Sequence, residues 1–449
     1  DLATTPTGLL SEACGEVSGD CYNLAMIHPR FVSIRPLLVL LVSLVLPMAL
    51  VMAPSAQGAQ RVKVGCKRCK NLGVLPCGEH NKEMLALEQA VQFCSIAATC
   101  EPCGGSFQVD CDRCDHGTSS DAVALRRTQV AEWLANEPMR QHLGRPVPHV
   151  ETKHFLLIVD TGPLKQGKKK IDNHLCLHRV AQDVEQVASL LGQHLELSGK
   201  GPVQNLNEGP TLEGTVPESE YFSKMRMWIW EDRKDHKGVM REFLRSGGTG
   251  DFKMLGRNPV FSVWKEANFS SLPQVRRLFT HNAAHMLISN LFKELWFGDT
   301  TGGWYDAGAA HWYEYFIHEL TTNYCIEEGT VMRDYHGGKW RTAIRKRLAK
   351  EKVPFLPQLI TKDTGQMELP EQALCWSFFD WIVANHPKVL KPMLLELKAE
   401  TPSRKILKDT LGQSLAKTEA DWRAWVVATY PMKGDLPKKP KEDKKKGRR

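Results

Sequence analysis

Hydrophobic spacing divides the chain into a strand-bearing stretch followed by a helical one. Lys153–Asp160 (K-H-F-L-L-I-V-D) is a short, nearly continuous apolar run, which predicts a strand. Tyr221–Trp230 and Pro259–Trp264 read the same way. After the basic loop Lys165–Lys170, residues 171–197 place Val180, Val184, Val187 and Leu191 at helical spacing. Leu272–Trp296 reads as a helix, Gly298–Gly303 as a loop, and another helix is expected from about Asp306. The remainder to about residue 428 predicts mainly helix, with turn signals at Gly337-Gly338, Pro354–Pro357 and His386-Pro387. Strands first and helices afterwards is an α+β order: a mixed sheet with a mainly helical C-terminal half.

Leu37–Ala53 breaks both periods. It is an uncharged, mostly aliphatic run of seventeen residues, preceded by Arg30 and Arg35 and followed by Pro54-Ser55-Ala56-Gln57-Gly58-Ala59. That order predicts a secretory signal peptide over 26–59, with Met26 as the start and residues 1–25 as upstream or disordered sequence. A retained membrane anchor is the competing reading, but seventeen residues interrupted by Pro47 are short for a span. The expectation is therefore an exported protein (periplasmic, secreted or at the cell surface) that leaves the membrane once cleaved.

The chain has 449 residues, enough for two or three domains, and carries a net charge of +8. Six of those charges sit in Pro437–Arg449, so the body is nearly balanced and no nucleic-acid partner is expected. Residues 433–449 read as a Lys-rich disordered tail.

Between the signal and the first strand lies a cysteine-rich block, residues 60–118. Its half-sites are Cys66-x-x-Cys69, Cys77-x-x-His80, Cys100-x-x-Cys103 and Cys111-x-x-Cys114, and the second half repeats the first after 34 residues. Pairs of Cys or His two residues apart are the units of tetrahedral zinc sites. His80 occupies the place of Cys114, and a histidine can ligate zinc but cannot enter a disulfide. Two structural zinc ions are expected, against a disulfide framework that export would favour. The half-sites can pair sequentially (66/69 with 77/80) or nested (66/69 with 111/114). Cys94 is left over and reads as a buried thiol on the intervening helix. The block resembles the cysteine-rich zinc domain of DnaJ-type chaperones, although the regular C-x-x-C-x-G-x-G spacing is absent. Thiol–disulfide exchange is a further reading of such pairs.

The helix from Leu272 carries His281-Asn282-Ala283-Ala284-His285. Histidines four apart on a helix share one face and can grip one metal ion. In H-E-x-x-H helices the residue after the first histidine is the glutamate that deprotonates the metal-bound water. Here it is Asn282, whose amide has no basic lone pair. The next helix reads Trp304-Tyr305-Asp306-Ala307-Gly308-Ala309-Ala310-His311-Trp312-Tyr313-Glu314. Together these segments resemble the gluzincin, or peptidase MA, clan, whose pattern continues W-L-x-E-G-x-A-x-Y-x-E with the first glutamate as third zinc ligand. Trp304, Gly308, Ala310 and Glu314 fall on that pattern. The helical stretch Ala373–Ala384 and the ending Trp422-Arg423-Ala424-Trp425 are also similar.

The resemblance implies a zincin-like domain over 122–432 and a zinc-peptidase ancestry. Ala307 replaces the third ligand and Asn282 the base. His281, His285 and His311 could rebuild a three-histidine site, with Asp306 as another ligand and Glu314 as the base. Two hydrogen-bonded histidines in a buried helix are the plain alternative. A second pair, His174 and His178, has no ligand-like partner following it and reads as chance spacing. His318-Glu319-Leu320-Thr321-Thr322 reads as an ordinary helix face. The expected function is an exported zinc protein whose gluzincin-like domain has lost hydrolysis and binds a protein or peptide. The alternatives are an active metallopeptidase with a rebuilt site, and a thiol-redox or chaperone-like protein.

Overall fold

A computed structural model of the chain describes residues 66–113 and 135–432, apart from interruptions of which the longest are 198–223 and 323–334. The segment read as a signal peptide, the residues before it, Cys114 and the Lys-rich tail lie outside the described residues. Among those described, no helix is long and apolar enough to cross a membrane.

The cysteine-rich block contains β1 (Val74–Pro76), α1 (Lys82–Gln89), β2 (Phe93–Cys94), α2 (Ser95–Ala98) and β3 (Gln108–Asp110). β1 and β3 pair antiparallel, with Val74 opposite Asp110 and Pro76 opposite Gln108. Gly105 turns the chain before β3 at φ +83°, where a Cβ would also come within 3.0 Å of the Ala98 backbone. Cys94 is buried as expected, but it lies on β2 and not on a helix.

The chain continues through α3 (Pro138–Leu143), β4 (His149–Glu151), β5 (Phe155–Asp160), β6 (Leu164–Gln166), β7 (Lys169–Ile171), α4 (Asn173–His194), β8 (Met225–Trp230), α5 (Arg233–Leu244), β9 (Phe252–Met254) and β10 (Val260–Trp264). The expected basic loop is the β6–β7 hairpin, turned at Gly167 with φ +61°. A six-stranded sheet runs in the order β2-β4-β5-β8-β10-β9. Its first strand, β2, comes from the cysteine-rich block and pairs antiparallel with β4.

The three central strands β5, β8 and β10 are parallel, and the flanking pairs are antiparallel. Parallel neighbours need long crossovers, which α4 and α5 supply. Helices therefore alternate with strands here, and the simple strands-then-helices order gives way to a mixed α/β arrangement. Phe155, Leu157, Val159, Met225, Met227, Ile229 and Phe261 pack in one core with α4. Ile158, Trp228, Trp230 and Val260 join a second core with Met139 of α3 and Val239 of α5. Burial on both faces explains why these strands read as continuous apolar runs.

The helical half comprises α6 (Leu272–Asn290), α7 (Gly303–His318), α8 (Trp340–Lys350), α9 (Leu356–Leu359), α10 (Leu369–Asn385), α11 (Leu390–Lys398), α12 (Ser403–Leu411) and α13 (Leu415–Thr429). A reciprocal Ser271–Gln274 capping box starts α6. Arg276 forks onto the buried carboxylate of Asp183 on α4, at 2.6 and 2.7 Å. On its other side α6 packs against α7, which in turn packs against α10. Asp380 of α10 accepts hydrogen bonds from Trp312 Nε1 and Tyr430 OH, both at 2.8 Å, tying α7 to the end of α13.

The α7–α10 approach is close at Gly308, where a Cβ would lie 2.8 Å from the Cys375 carbonyl oxygen. Gly308→Ala is expected to destabilise the fold by about 1–3 kcal/mol through overpacking, read as a lower urea midpoint. An unchanged midpoint would mean that the helices are not held this closely. A second expectation concerns Glu185 on α4, which accepts the His154 backbone N–H at 2.8 Å and meets His154 Nδ1 at 2.8 Å. Burial alone would raise its pKa, but the hydrogen bonds and charge of His154 outweigh that and hold it below its ordinary 4.5. A depressed carboxylate stabilises the fold above its ordinary pKa, and the contribution is lost as pH falls through the folded value. Wild type should exceed Glu185→Gln in stability at neutral pH, read as a higher urea midpoint, with the gap narrowing as the pH falls below the ordinary carboxylate value of 4.5.

Candidate metal centres

Antiparallel pairing of β1 with β3 decides how the cysteine half-sites meet. The Cys77 N–H donates to the Phe107 carbonyl, and the Cys111 N–H to the Gly73 carbonyl, both at 2.9 Å. The end of each strand is thereby set beside the start of the other. Cys77 and His80 consequently join Cys100 and Cys103, with all four ligand atoms within 4.8 Å of one another. Cys77 Sγ lies 3.9 Å from Cys100 Sγ, and His80 Nε2 lies 3.3 Å from Cys103 Sγ. Cys66 and Cys69 likewise join Cys111, with Cys66 Sγ 3.8 Å from Cys111 Sγ. Arg68 reaches across the same junction to Asp112 at 2.6 Å. The described residues are thus arranged in the nested way, 66/69 with 111.

None of the described cysteines is in a disulfide. Two sulfurs about 2.3 Å from one tetrahedral ion lie about 3.8 Å apart, far beyond a disulfide bond of about 2.05 Å. The sulfur separations therefore fit tetrahedral ligation. Burial, together with neighbouring Cys103 and Cys77, pushes the Cys100 thiol up to about 12. Sulfurs this crowded become thiolates readily only when a cation shares their charge.

The second set of predicted residues converges between α6 and α7. His281, His285, Asp306, His311 and Glu314 are all at most 2% exposed. His281 Nε2 and His285 Nε2 lie 3.2 Å apart, within hydrogen-bond reach when one of the two carries the proton. Each outer nitrogen faces a carboxylate: His285 Nδ1 lies 2.9 Å from Asp306 Oδ1, and His281 Nδ1 lies 3.5 Å from Glu314 Oε2. Metal-bound histidines are commonly oriented by such carboxylates.

The imagined three-histidine site takes a different form. His281, His311 and Glu314 have ligand atoms within 4.8 Å of one another, and His311 Nδ1 is 3.9 Å from the same Glu314 oxygen. His285 stands on the far side of His281 with Asp306. Glu314 is thus a donor within the cluster, and Asp306 braces the outer nitrogen of His285. Burial would raise the Glu314 pKa, but hydrogen bonds and charge from His281 and His311 overcome it and hold it at about 2. A carboxylate so strongly committed to the ionised form is a weak proton acceptor. Asn282 hydrogen-bonds its own helix, Nδ2 to the Leu278 carbonyl at 2.9 Å. Ala307, which the gluzincin resemblance would set at a third-ligand position, is fully buried.

The surrounding aromatics divide. Trp304, Tyr305 and Tyr313 are core, whereas Phe316 is 52% exposed and stacks on Trp312. Trp312, Tyr315 and Phe316 line an open groove of about 430 Å³ with Arg341 of α8 and Asp380 of α10, and no member of the histidine cluster lines it. His318 is the last residue of α7 and meets Thr280 Oγ1 at 2.9 Å; Glu319 leaves the helix at φ +55°, so His318–Thr322 is a helix end and not the helix face expected. His174 and His178, by contrast, are not solitary. They meet Glu88 and Cys94, which sequence spacing had not connected to them because those residues lie some eighty positions upstream.

No protein-family model and no curated protein compared with this sequence matches it.

Nested pairing predicts how the cysteine centres fail. Cys77→Ser should release one metal ion and expose Cys100 and Cys103 to a thiol reagent while Cys66, Cys69 and Cys111 stay protected. Labelling of Cys66 and Cys69 instead would contradict the pairing.

Proposed function

We propose that this chain is an exported, zinc-stapled protein whose gluzincin-like domain no longer hydrolyses peptides and serves as a binding or scaffolding module. One observation carries the reading: the residues in the place of a peptidase centre are closed inside the α6–α7 interface. A hydrolytic zinc needs an open coordination position, a base near it and room for the scissile bond. Here Asn282 is turned onto its own helix backbone and every member of the cluster is buried. An ion bound there would supply charge balance to Glu314 and polarise its ligands. His281, His311 and Glu314 would hold it, with Asp306 fixing the neighbouring His285 ring.

Zinc is the ion proposed for the cysteine centres, because three thiolates and one imidazole within reach of one point form a soft tetrahedral donor set. The chaperone-like or redox reading draws less support. His80 sits where a disulfide partner would be needed, and the sulfurs are spaced for ligation. The groove beside Phe316 is the surface proposed for a protein or peptide partner, since it combines exposed aromatic area with the Arg341 guanidinium.

A second reading, a metallopeptidase rebuilt on other ligands, is favoured by the convergence of His281, His311 and Glu314. One assay separates the two. The zinc-equilibrated protein is expected to cleave a mixed fluorogenic peptide library no faster than its His281→Ala variant. Cleavage that is abolished both by chelator and by His281→Ala would establish the rebuilt enzyme instead.

A further inference from the structure

His174 and His178 stand four residues apart on α4, so their imidazoles project from one face. Both Nε2 atoms approach a single oxygen, Oε1 of Glu88 on α1, at 3.1 Å from His178 and closer from His174. Cys94 on β2 completes the group, and one ligand atom from each of the four residues lies within 4.8 Å of the others. Glu88, Cys94 and His178 are at most 4% exposed.

Two details differ from a finished ion-pair network. The 3.1 Å contact of His178 is not aligned as a hydrogen bond. His178 Nδ1 and Glu88 Oε2 are buried with no hydrogen-bond partner among the described residues. Buried polar atoms left this way are costly, and a carboxylate lone pair can be answered by a cation as well as by a proton.

We propose that Glu88, Cys94, His174 and His178 form a further metal centre that holds one zinc-class divalent ion between the cysteine-rich block and helix α4. The donor set selects the ion class. Imidazole and thiolate suit zinc and its first-row neighbours, whereas calcium and magnesium require oxygen donors. Glu88 as carboxylate and Cys94 as thiolate balance a 2+ charge, so the loaded site is neutral inside the protein.

The centre has a mechanical consequence. Two of its ligands come from the block and two from α4. Between the block and the sheet, the β2–β4 ladder spans only two residue pairs. An ion here would clamp that joint independently of the two cysteine centres.

Metal counting on the intact chain, after equilibration with Zn²⁺ and competition with a chelator, tests the proposal. His174→Gln is the variant of choice because the His174 side chain is 23% exposed, at the rim of the cluster. It should retain one ion fewer per chain than wild type, with the cysteine-centre thiols still protected from alkylation. Equal retention would overturn the proposal and leave a buried ion-pair network only. Cobalt(II) gives a second readout that does not depend on that variant. Cys94→Ala should remove one thiolate's share of the thiolate-to-cobalt charge-transfer absorption, and an unchanged spectrum would also overturn it.

Discussion

The packing of α6 against α7 is the constraint around which the rest of the protein is arranged. It places five ionisable side chains where water does not reach, so each must find its partner inside the fold. The two outer imidazole nitrogens face Asp306 and Glu314, and the inner pair face each other. Glu314 also accepts the Thr322 N–H at 3.0 Å through its other oxygen, which fixes the chain beyond α7. Apolar packing alone would let these helices slide, whereas a polar cluster with defined partners sets one register. The Arg276–Asp183 fork on one side and the Asp380 hydrogen bonds on the other extend that order from α4 to α13.

The same chemistry serves different ends at different depths. In the cysteine-rich block, thiols brought together by the β1–β3 pairing form clusters that could each hold a metal ion in a segment with little core of its own. At the junction with α4, a mixed donor set joins that block to the larger body. Between α6 and α7, imidazoles and carboxylates lie inside an extensive hydrophobic core. A helix with histidines four apart occurs in both of the latter settings, so that spacing alone does not identify a catalytic centre.

Much of this was legible in the sequence because it rests on local periodicity. The runs ending at Asp160, Trp230 and Trp264 are strands, and 171–197 contains the predicted helix. The step sizes among the cysteines identified the half-sites, and helical spacing brought His281, His285 and His311 together, whereas the places of Asp306 beside His285 and of Glu314 between His281 and His311 came only from the packing of α6 on α7. What was not legible depended on long-range pairing. Nested assembly required the β1–β3 register, and Cys94 is placed on a strand by its pairing with Val150. Glu88 meets His174 and His178 only because α1 packs on α4. The parallel order of β5, β8 and β10 likewise emerges from crossovers and not from any one segment's pattern.

The α6–α7 cluster is a polar core closed to solvent, with every member buried. Exchange of the histidine C2 hydrogen for deuterium, followed by mass spectrometry, reads solvent access one imidazole at a time. His142 and His336, both exposed, supply internal references in the same sample. His281, His285 and His311 are expected to exchange far more slowly than those two in the native protein and at similar rates after unfolding. Native exchange of His281 and His285 at the rate of the exposed references would show a centre open to solvent and contradict it.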